Sequence, residues 1–226
     1  MKSPLLFDIP FQIDMNRYKQ AIRYEYLDDA RNEAILLLEI ASKRLNPKVM
    51  LIEAFIDRHL NDGNVPVIAI GDIRFHGKAL RALDGVHRII PYIATCGDGM
   101  EDFDLSAMDM LAPYWLDELK SQALDQARKA LRSLCDELFG IRRALSLNPG
   151  SGNVDIWPIE ELQELFCLFG PDHRKVGVSL SQRSLMIPNK SIAGLLFANS
   201  EVDYESCAHC ERANCPNRRV PFKARL

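Results

Sequence analysis

Residues 176–198 read VGVSLSQRSLMIPNKSIAGLLFA, and the fold class follows largely from this part of the chain. Two short apolar runs, 176–180 and 184–188, lie on either side of a Ser-Gln turn, a pattern that predicts a β-hairpin. The run 191–198 is also apolar and predicts a third strand. The C-terminal third of the chain is therefore expected to contain three strands.

Upstream of this stretch the pattern is mostly helical. Apolar residues at helical spacing predict helices over 16–27, 28–45, 48–60, 106–139 and 159–169. Asn46-Pro47 should end the second of these helices and Gly140 the long fourth one. Strands are predicted at 65–71 and 86–95, and Pro91 in the latter indicates an edge strand or an interruption. Long helices combined with these strands favour an α+β fold over a parallel doubly wound sheet.

The composition is that of an ordinary globular protein. The chain has 226 residues, of which 47% are hydrophobic and 26% charged, so it suits one large domain or two small ones. With 28 basic against 31 acidic residues, it lacks the basic surplus of a nucleic-acid-binding protein. No apolar run approaches a membrane span, and the first ten residues predict an extended arm rather than a signal peptide. We therefore expect a cytoplasmic protein whose six cysteines are thiols or metal ligands rather than disulfides.

Three of the cysteines are concentrated near the C-terminus. Residues 206–219 read SCAHCERANCPNRR, which gives Cys207, Cys210 and Cys215 the spacing C-x-x-C-x-x-x-x-C. The two-residue gap lets two thiolates face one metal, and a proline after the last cysteine is typical of ferredoxin-type runs. Nearby arginines would offset the negative charge of thiolate ligands. The pattern predicts a metal or cluster site, with an iron–sulfur cluster favoured over zinc.

The fourth ligand of such a site is left open by the sequence. Cys96 lies in a Gly/Asp loop and is the predicted distant ligand, whereas Cys135 and Cys167 have apolar neighbours and are interpreted as core residues. Zinc could take His209 instead, although this histidine lies between two of the cysteines, where joint coordination is awkward. A further alternative is a tail of redox-active thiols without a metal.

A glycine-containing loop is the second candidate site. It consists of Asn148, Pro149, Gly150, Ser151 and Gly152, ahead of the helix predicted at 159–169. Its glycines allow positive φ and let backbone N–H groups approach an anionic or polar ligand. The spacing matches neither a Walker loop nor a dinucleotide fingerprint, so by itself it indicates a helix connection. No Ser/His/Asp or paired-carboxylate arrangement is recognisable, and no catalytic residue is assigned.

The segment 147–197 resembles the S-adenosylmethionine-binding activation domain of cobalamin-dependent methionine synthase. The resemblance is carried, in order, by Pro149-Gly150, by EELQELFCLFG at 160–170 and by the run 176–198, with a weaker match of IATCG at 93–97. It implies an α+β fold in which helices flank a twisted antiparallel sheet. On this basis residues 1–200 form an activation-domain-like unit, and 201–226 form an added cysteine-rich tail for a metal or iron–sulfur cluster.

The resemblance also implies a function. Residues 148–152 would line an S-adenosylmethionine pocket, but the family's ligand-holding arginine and tyrosine are Ser146 and Ser151 here, so a guanidinium clamp and an aromatic face are absent. We expect an accessory protein for a corrinoid-dependent methyltransferase or methionine synthase, which assists reductive reactivation of cobalamin held by the partner. The alternative is a non-catalytic binding or regulatory module with a structural zinc and a decayed S-adenosylmethionine site.

Overall fold

The computed structural model describes residues 2–151, 155–199, 204–215, 218 and 220–223. Within these residues the α-helices are α1 Met15–Ala21, α2 Arg31–Arg44, α3 Ala112–Phe139 and α4 Glu161–Phe169. The strands are β1 Leu5–Asp8, β2 Lys48–Leu51, β3 Ala54–Phe55, β4 Arg58–Asp62, β5 Val65–Ile70, β6 Ile73–His76, β7 Arg88–Thr95, β8 Leu145–Leu147, β9 Ser179–Leu180, β10 Met186–Ile187 and β11 Ser191–Phe197. Short 3-10 helices lie at Tyr24–Tyr26, Asp28–Ala30, Lys78–Leu83, Gly170–Val176 and Ser206–His209.

The main sheet has the strand order β1-β2-β7-β11-β8, and β3 also pairs with β7. All of these pairs are antiparallel, which confirms the α+β class and the antiparallel sheet that the resemblance implies. Side chains alternate between the two faces of the sheet. Ile93 and Leu195 join the core that includes α4, whereas Tyr92 and Leu196 pack with residues of α3. The sheet is thus covered by helices on both faces.

β7 is the central strand although it contains Pro91. Its neighbour β11 runs past the proline, with Leu195 opposite it. On the other side the ladder is broken, because β2 pairs only with 92–95 of β7 and β3 pairs with Arg88 and Ile89. Proline has no N–H to donate, and here its carbonyl accepts a hydrogen bond from the Ile52 N–H at 3.0 Å. The expected interruption is confirmed, and the expectation of an edge strand is wrong.

The predicted helix over 48–60 is wrong. This segment contains β2, β3 and the start of β4, and β4 pairs with β5 and β5 with β6 in a separate three-stranded sheet. Val49, Met50 and Leu51 are all buried, because both faces of the main sheet are covered. Periodicity does not distinguish a short, continuously apolar strand of this kind from part of a buried helix.

Other predicted elements are present with shorter bounds. β9 and β10 form the predicted hairpin, and its turn is closed by the Ser181 N–H, which donates to the Leu185 carbonyl at 2.9 Å. α3 has 28 residues and ends at Phe139, with Gly140 directly after it as the expected stop. The N-terminal arm forms the edge strand β1, and the helix predicted at 16–27 is α1 followed by a 3-10 turn. In the described part of the chain, none of the helices has the length and apolar character needed to cross a membrane.

Candidate functional site

A pocket of about 530 Å³ lies between α3, the main sheet and the C-terminal segment. Its volume is in the range that holds small molecules. Four of the five predicted loop residues line it: Asn148, Pro149, Gly150 and Ser151. The fifth, Gly152, lies outside the described residues. The C-terminal segment contributes Tyr204, Glu205 and Val220 to the wall.

The floor of the pocket is a closed ring of hydrogen bonds among Tyr92, Ser146 and Asn148. The Asn148 side-chain amide donates to the Tyr92 hydroxyl at 2.5 Å and to the Ala193 carbonyl at 2.8 Å. The Ser146 hydroxyl donates to Asn148 Oδ1 at 2.8 Å. Because its single hydrogen is used in that bond, Ser146 Oγ accepts from the Tyr92 hydroxyl at 3.0 Å. We call these three side chains the polar floor. All of their N–H and O–H groups donate within the protein, so they offer a ligand only hydrogen-bond acceptors.

The Tyr92 hydroxyl is held in its neutral form. Burial raises the pKa of Tyr92, and the hydrogen bonds with Ser146 and Asn148 oppose this only in part. The phenol therefore stays protonated at neutral pH and continues to donate to Ser146.

Two glycines allow this close packing. Gly150 has a φ of +73°, and a Cβ at this position would lie 2.9 Å from the Ile159 side chain. A Cβ on Gly194 of β11 would lie 2.5 Å from Asn148 Nδ2, so only glycine leaves room for the amide. The Gly150 N–H donates to the Trp157 carbonyl at 2.9 Å, and the Ser151 N–H to the Asn148 carbonyl at 3.1 Å. The loop thus uses these two N–H groups internally rather than directing them to a ligand.

Three exposed arginines also line the pocket: Arg128 and Arg132 of α3, and Arg143. We call this set the arginine rim. Arg128 and Arg132 are four residues apart, which places them on the same face of α3. Their positive charges act on the Tyr92 hydroxyl and lower its pKa, against the larger effect of burial. The rim was not predicted from the sequence, where its signal is a pair of like charges at helical spacing.

The C-terminal segment is anchored at the pocket by an aromatic residue. Tyr204 is 6% exposed and belongs to the core that contains α4. Its ring stacks on the His209 imidazole, with 5.5 Å between the ring centroids. Burial lowers the pKa of His209, which favours a neutral imidazole at neutral pH.

Residues 207–212 of this segment form a loop whose backbone carbonyls face the Arg218 guanidinium. Arg218 donates to the carbonyls of Cys207 at 3.0 Å and Cys210 at 2.9 Å. It also donates to the Arg212 carbonyl at 2.6 Å. These bonds hold the backbone of 207–212 in a compact loop around a positive charge.

The metal site predicted from the cysteine spacing is not assembled in the described residues. Cys207, Cys210 and Cys215 are each partly buried. Among the residues that the structure describes, no three or more His, Cys, Asp or Glu side chains are grouped so as to hold a metal ion. The assignment of these three thiols as ligands therefore stays a prediction from their spacing.

The other cysteines differ from one another. Cys96, the predicted fourth ligand, is fully buried in the apolar cluster that includes Trp115, and burial raises the pKa of its thiol to about 12. Its role as a ligand stays a prediction. Cys135 is a core residue as expected. Cys167 is exposed, so the core interpretation is wrong for it: α4 directs other residues inwards, and Cys167 lies on its outer side.

The fold of this chain matches that of a solved structure, although its sequence matches no family model. No protein-family model and no curated protein matches the chain. Among solved structures, however, its combination of helices and antiparallel sheet is that of a methionine synthase reactivation fold. The chain is similar to the crystal structure of the MetH reactivation domain bound to AdoHcy, with a TM-score of 0.59 and 13% identity over 90% of this chain and 80% of that one. At this identity the likeness shows a shared fold, and it confirms the fold that the sequence resemblance implied.

Proposed function

We propose that this protein is an accessory protein of a corrinoid-dependent methyltransferase or methionine synthase, and that it assists the reductive reactivation of the partner's cobalamin. The observation that carries the proposal is the fold shared with the MetH reactivation domain over 90% of the chain. The ligand-sized pocket gives this fold a site, because it lies at the loop that carries the sequence resemblance.

Reactivation has two chemical requirements. Cobalt(II) must gain one electron from a reductant to become cobalt(I). Cobalt(I) then takes the methyl group from the sulfonium of S-adenosylmethionine, which forms methylcobalamin and leaves S-adenosylhomocysteine. The similar MetH domain is bound to AdoHcy, the product of such a transfer. In this chain the corresponding ligand site is proposed at residues 148–152.

The predicted metal site belongs to the same proposal. Cys207, Cys210 and Cys215 would hold an iron–sulfur cluster, with Cys96 as the proposed fourth ligand and zinc as the alternative metal. When bound, a cluster supplies single electrons, whereas zinc has no redox chemistry. The loop held by Arg218 supports a compact site in this tail. Residues 1–200 and 201–226 are then two functional units, one for docking and most of the ligand pocket and one for the metal. Tyr204, Glu205 and Val220 of the second unit complete the pocket wall.

A second candidate function is a non-catalytic binding or regulatory module. The observation that favours it is the polar floor, where Ser146 is closed into the ring with Tyr92 and Asn148. A guanidinium that clamps the ligand's carboxylate is missing at this position. In this case the fold serves docking, zinc serves the tail, and the methyl-donor site has decayed.

The test uses the full chain, purified without oxygen, and a methyltransferase domain that carries cobalt(II) cobalamin. With a chemical reductant and S-adenosylmethionine present, we expect methylcobalamin to form faster when this protein is added. An unchanged rate with co-elution of the two proteins would support the binding module instead. An unchanged rate without co-elution contradicts both functions.

Metal analysis of the same preparation separates the two proposed metals. Iron and sulfide with broad visible absorbance support a cluster, and stoichiometric zinc contradicts it. Cys210→Ala should then abolish the absorbance. Cys167→Ala is the matched control, because this thiol is exposed on α4 and the absorbance should be unchanged.

A further inference from the structure

We propose that the pocket binds a phosphate-bearing ligand of about nucleotide size, whose phosphate is held by the arginine rim. The inference rests on the pocket alone and does not require a corrinoid partner. It assigns the pocket an occupant other than the S-adenosylmethionine of the proposed function, so the two ligands compete for one site. It assigns the rim residues Arg128, Arg132 and Arg143 as the anion site, in place of the loop 148–152.

The charges that line the pocket favour a dianion. Three guanidiniums and one carboxylate, that of Glu205, are in its wall. A guanidinium presents paired N–H donors that match two phosphate oxygens, which is why arginine is preferred for phosphate recognition. S-adenosylmethionine carries a sulfonium and an ammonium against one carboxylate. A net positive ligand is disfavoured beside this rim, and a phosphate dianion is favoured.

The two arginines of α3 have charge available for a ligand. Like charges one turn apart on a helix repel each other, so an anion between them stabilises the pair. Asp125 lies 3.9 Å from Arg128, and its carboxylate is bonded at 2.7 Å to Arg17. In the part of the chain that the structure describes, Arg132 has no hydrogen-bond or ion-pair partner.

The polar floor decides which end of the ligand lies inside. Because Tyr92, Ser146 and Asn148 use all of their donors within the protein, the floor has no N–H or O–H for an anionic oxygen. Its lone pairs accept from an N–H group such as that of a nucleobase. Leu131 and Leu196 line the same pocket and give the flat face of such a ring an apolar contact. The phosphate therefore lies at the exposed rim and the uncharged end on the floor.

The experiment is calorimetric titration of the full chain with adenosine 5′-monophosphate, adenosine, inorganic phosphate and S-adenosylmethionine. We expect the monophosphate to bind about tenfold or more tightly than any of the other three probes, and its affinity to fall as salt is added. Absence of saturable monophosphate binding overturns the proposal. So does tighter binding of S-adenosylmethionine, which would leave the accessory function intact. Equal binding of inorganic phosphate and the monophosphate overturns the nucleotide-sized ligand.

Variants of the rim give the sharper test. Arg132→Ala should weaken monophosphate binding by about tenfold or more and leave adenosine binding unchanged. Arg142→Ala is the matched control, because this neighbouring side chain is 92% exposed and does not line the pocket. The proposal is overturned if Arg132→Ala binds the monophosphate as the unaltered protein does, or if Arg142→Ala weakens it equally.

Discussion

Replacing Tyr92 with phenylalanine removes one oxygen from the polar floor and keeps the aromatic ring. In the native protein this oxygen accepts from Asn148 and donates to Ser146. The substitution leaves an Asn148 N–H without its acceptor, at a position where the tyrosine is only 2% exposed. A buried donor left unsatisfied costs about 1–3 kcal/mol. We expect Tyr92→Phe to lower the free energy of unfolding by about 2 kcal/mol, or the melting temperature by about 4–8 °C for a domain of this size.

Urea unfolding followed by circular dichroism measures this loss. Tyr26→Phe is the matched control, because Tyr26 is 82% exposed and its change should stay within about 0.5 kcal/mol. If the two variants lose equal stability, the hydrogen-bonded ring does not stabilise the fold and the reasoning is refuted. The pH dependence adds a second readout. Since folding raises the pKa of Tyr92, its contribution is present at neutral pH and is lost as pH rises above about 10. The phenylalanine variant should lack that alkaline component.

Three further predictions concern the loop, the buried thiol and the tail. Gly150→Ala should cost about 1–3 kcal/mol in urea unfolding because of its positive φ and the Ile159 contact, and more than Gly140→Ala, which has positive φ but open space around it. Equal losses would contradict a role for that contact. In the native protein at about pH 8, iodoacetamide should alkylate Cys96 far more slowly than the exposed Cys167, because burial raises the pKa of the Cys96 thiol to about 12. Equal rates, measured by mass spectrometry, would show that Cys96 is accessible. Arg218→Ala should speed trypsin cleavage after Arg212 without changing global unfolding, because three carbonyls, that of Arg212 among them, lose their donor. An unchanged cleavage rate would show that Arg218 does not hold the loop.

The sequence predicted those elements that carry a local signal, either apolar residues at helical spacing or a short apolar run bounded by turn residues. The apolar stripe of α3 and the turn of the β9–β10 hairpin are local signals of this kind. β2 gave no such signal, because its apolar residues 49–51 are buried and no turn residue separates them from β3 in the sequence. Whether residues 48–51 form a strand or a helix depends on the segments that cover the sheet, and these segments lie far away in the sequence.

The candidate site was predictable only in part for the same reason. Asn148 lies in a recognisable glycine loop, and four of the five predicted loop residues line the pocket. Tyr92 is one apolar-flanked residue in a strand, and its role depends on the register that brings β7 next to β11. The arginine rim forms only where α3 packs beside the segment after it. No spacing rule connects Arg128 with the floor of a pocket.

The wall formed by the C-terminal segment has a consequence for how the two candidate sites behave together. Glu205 lines the pocket, and its carboxylate accepts a hydrogen bond from the Cys207 N–H at 3.4 Å. A single three-residue stretch therefore borders both the pocket and the first thiol. Coupling between two binding sites is reciprocal. If a molecule in the pocket changes the affinity of the thiols for a metal by some factor, the metal changes the affinity of the pocket for that molecule by the same factor. If the thiols hold the proposed cluster, a coupling of this kind would let its absorbance report on a colourless molecule in the pocket.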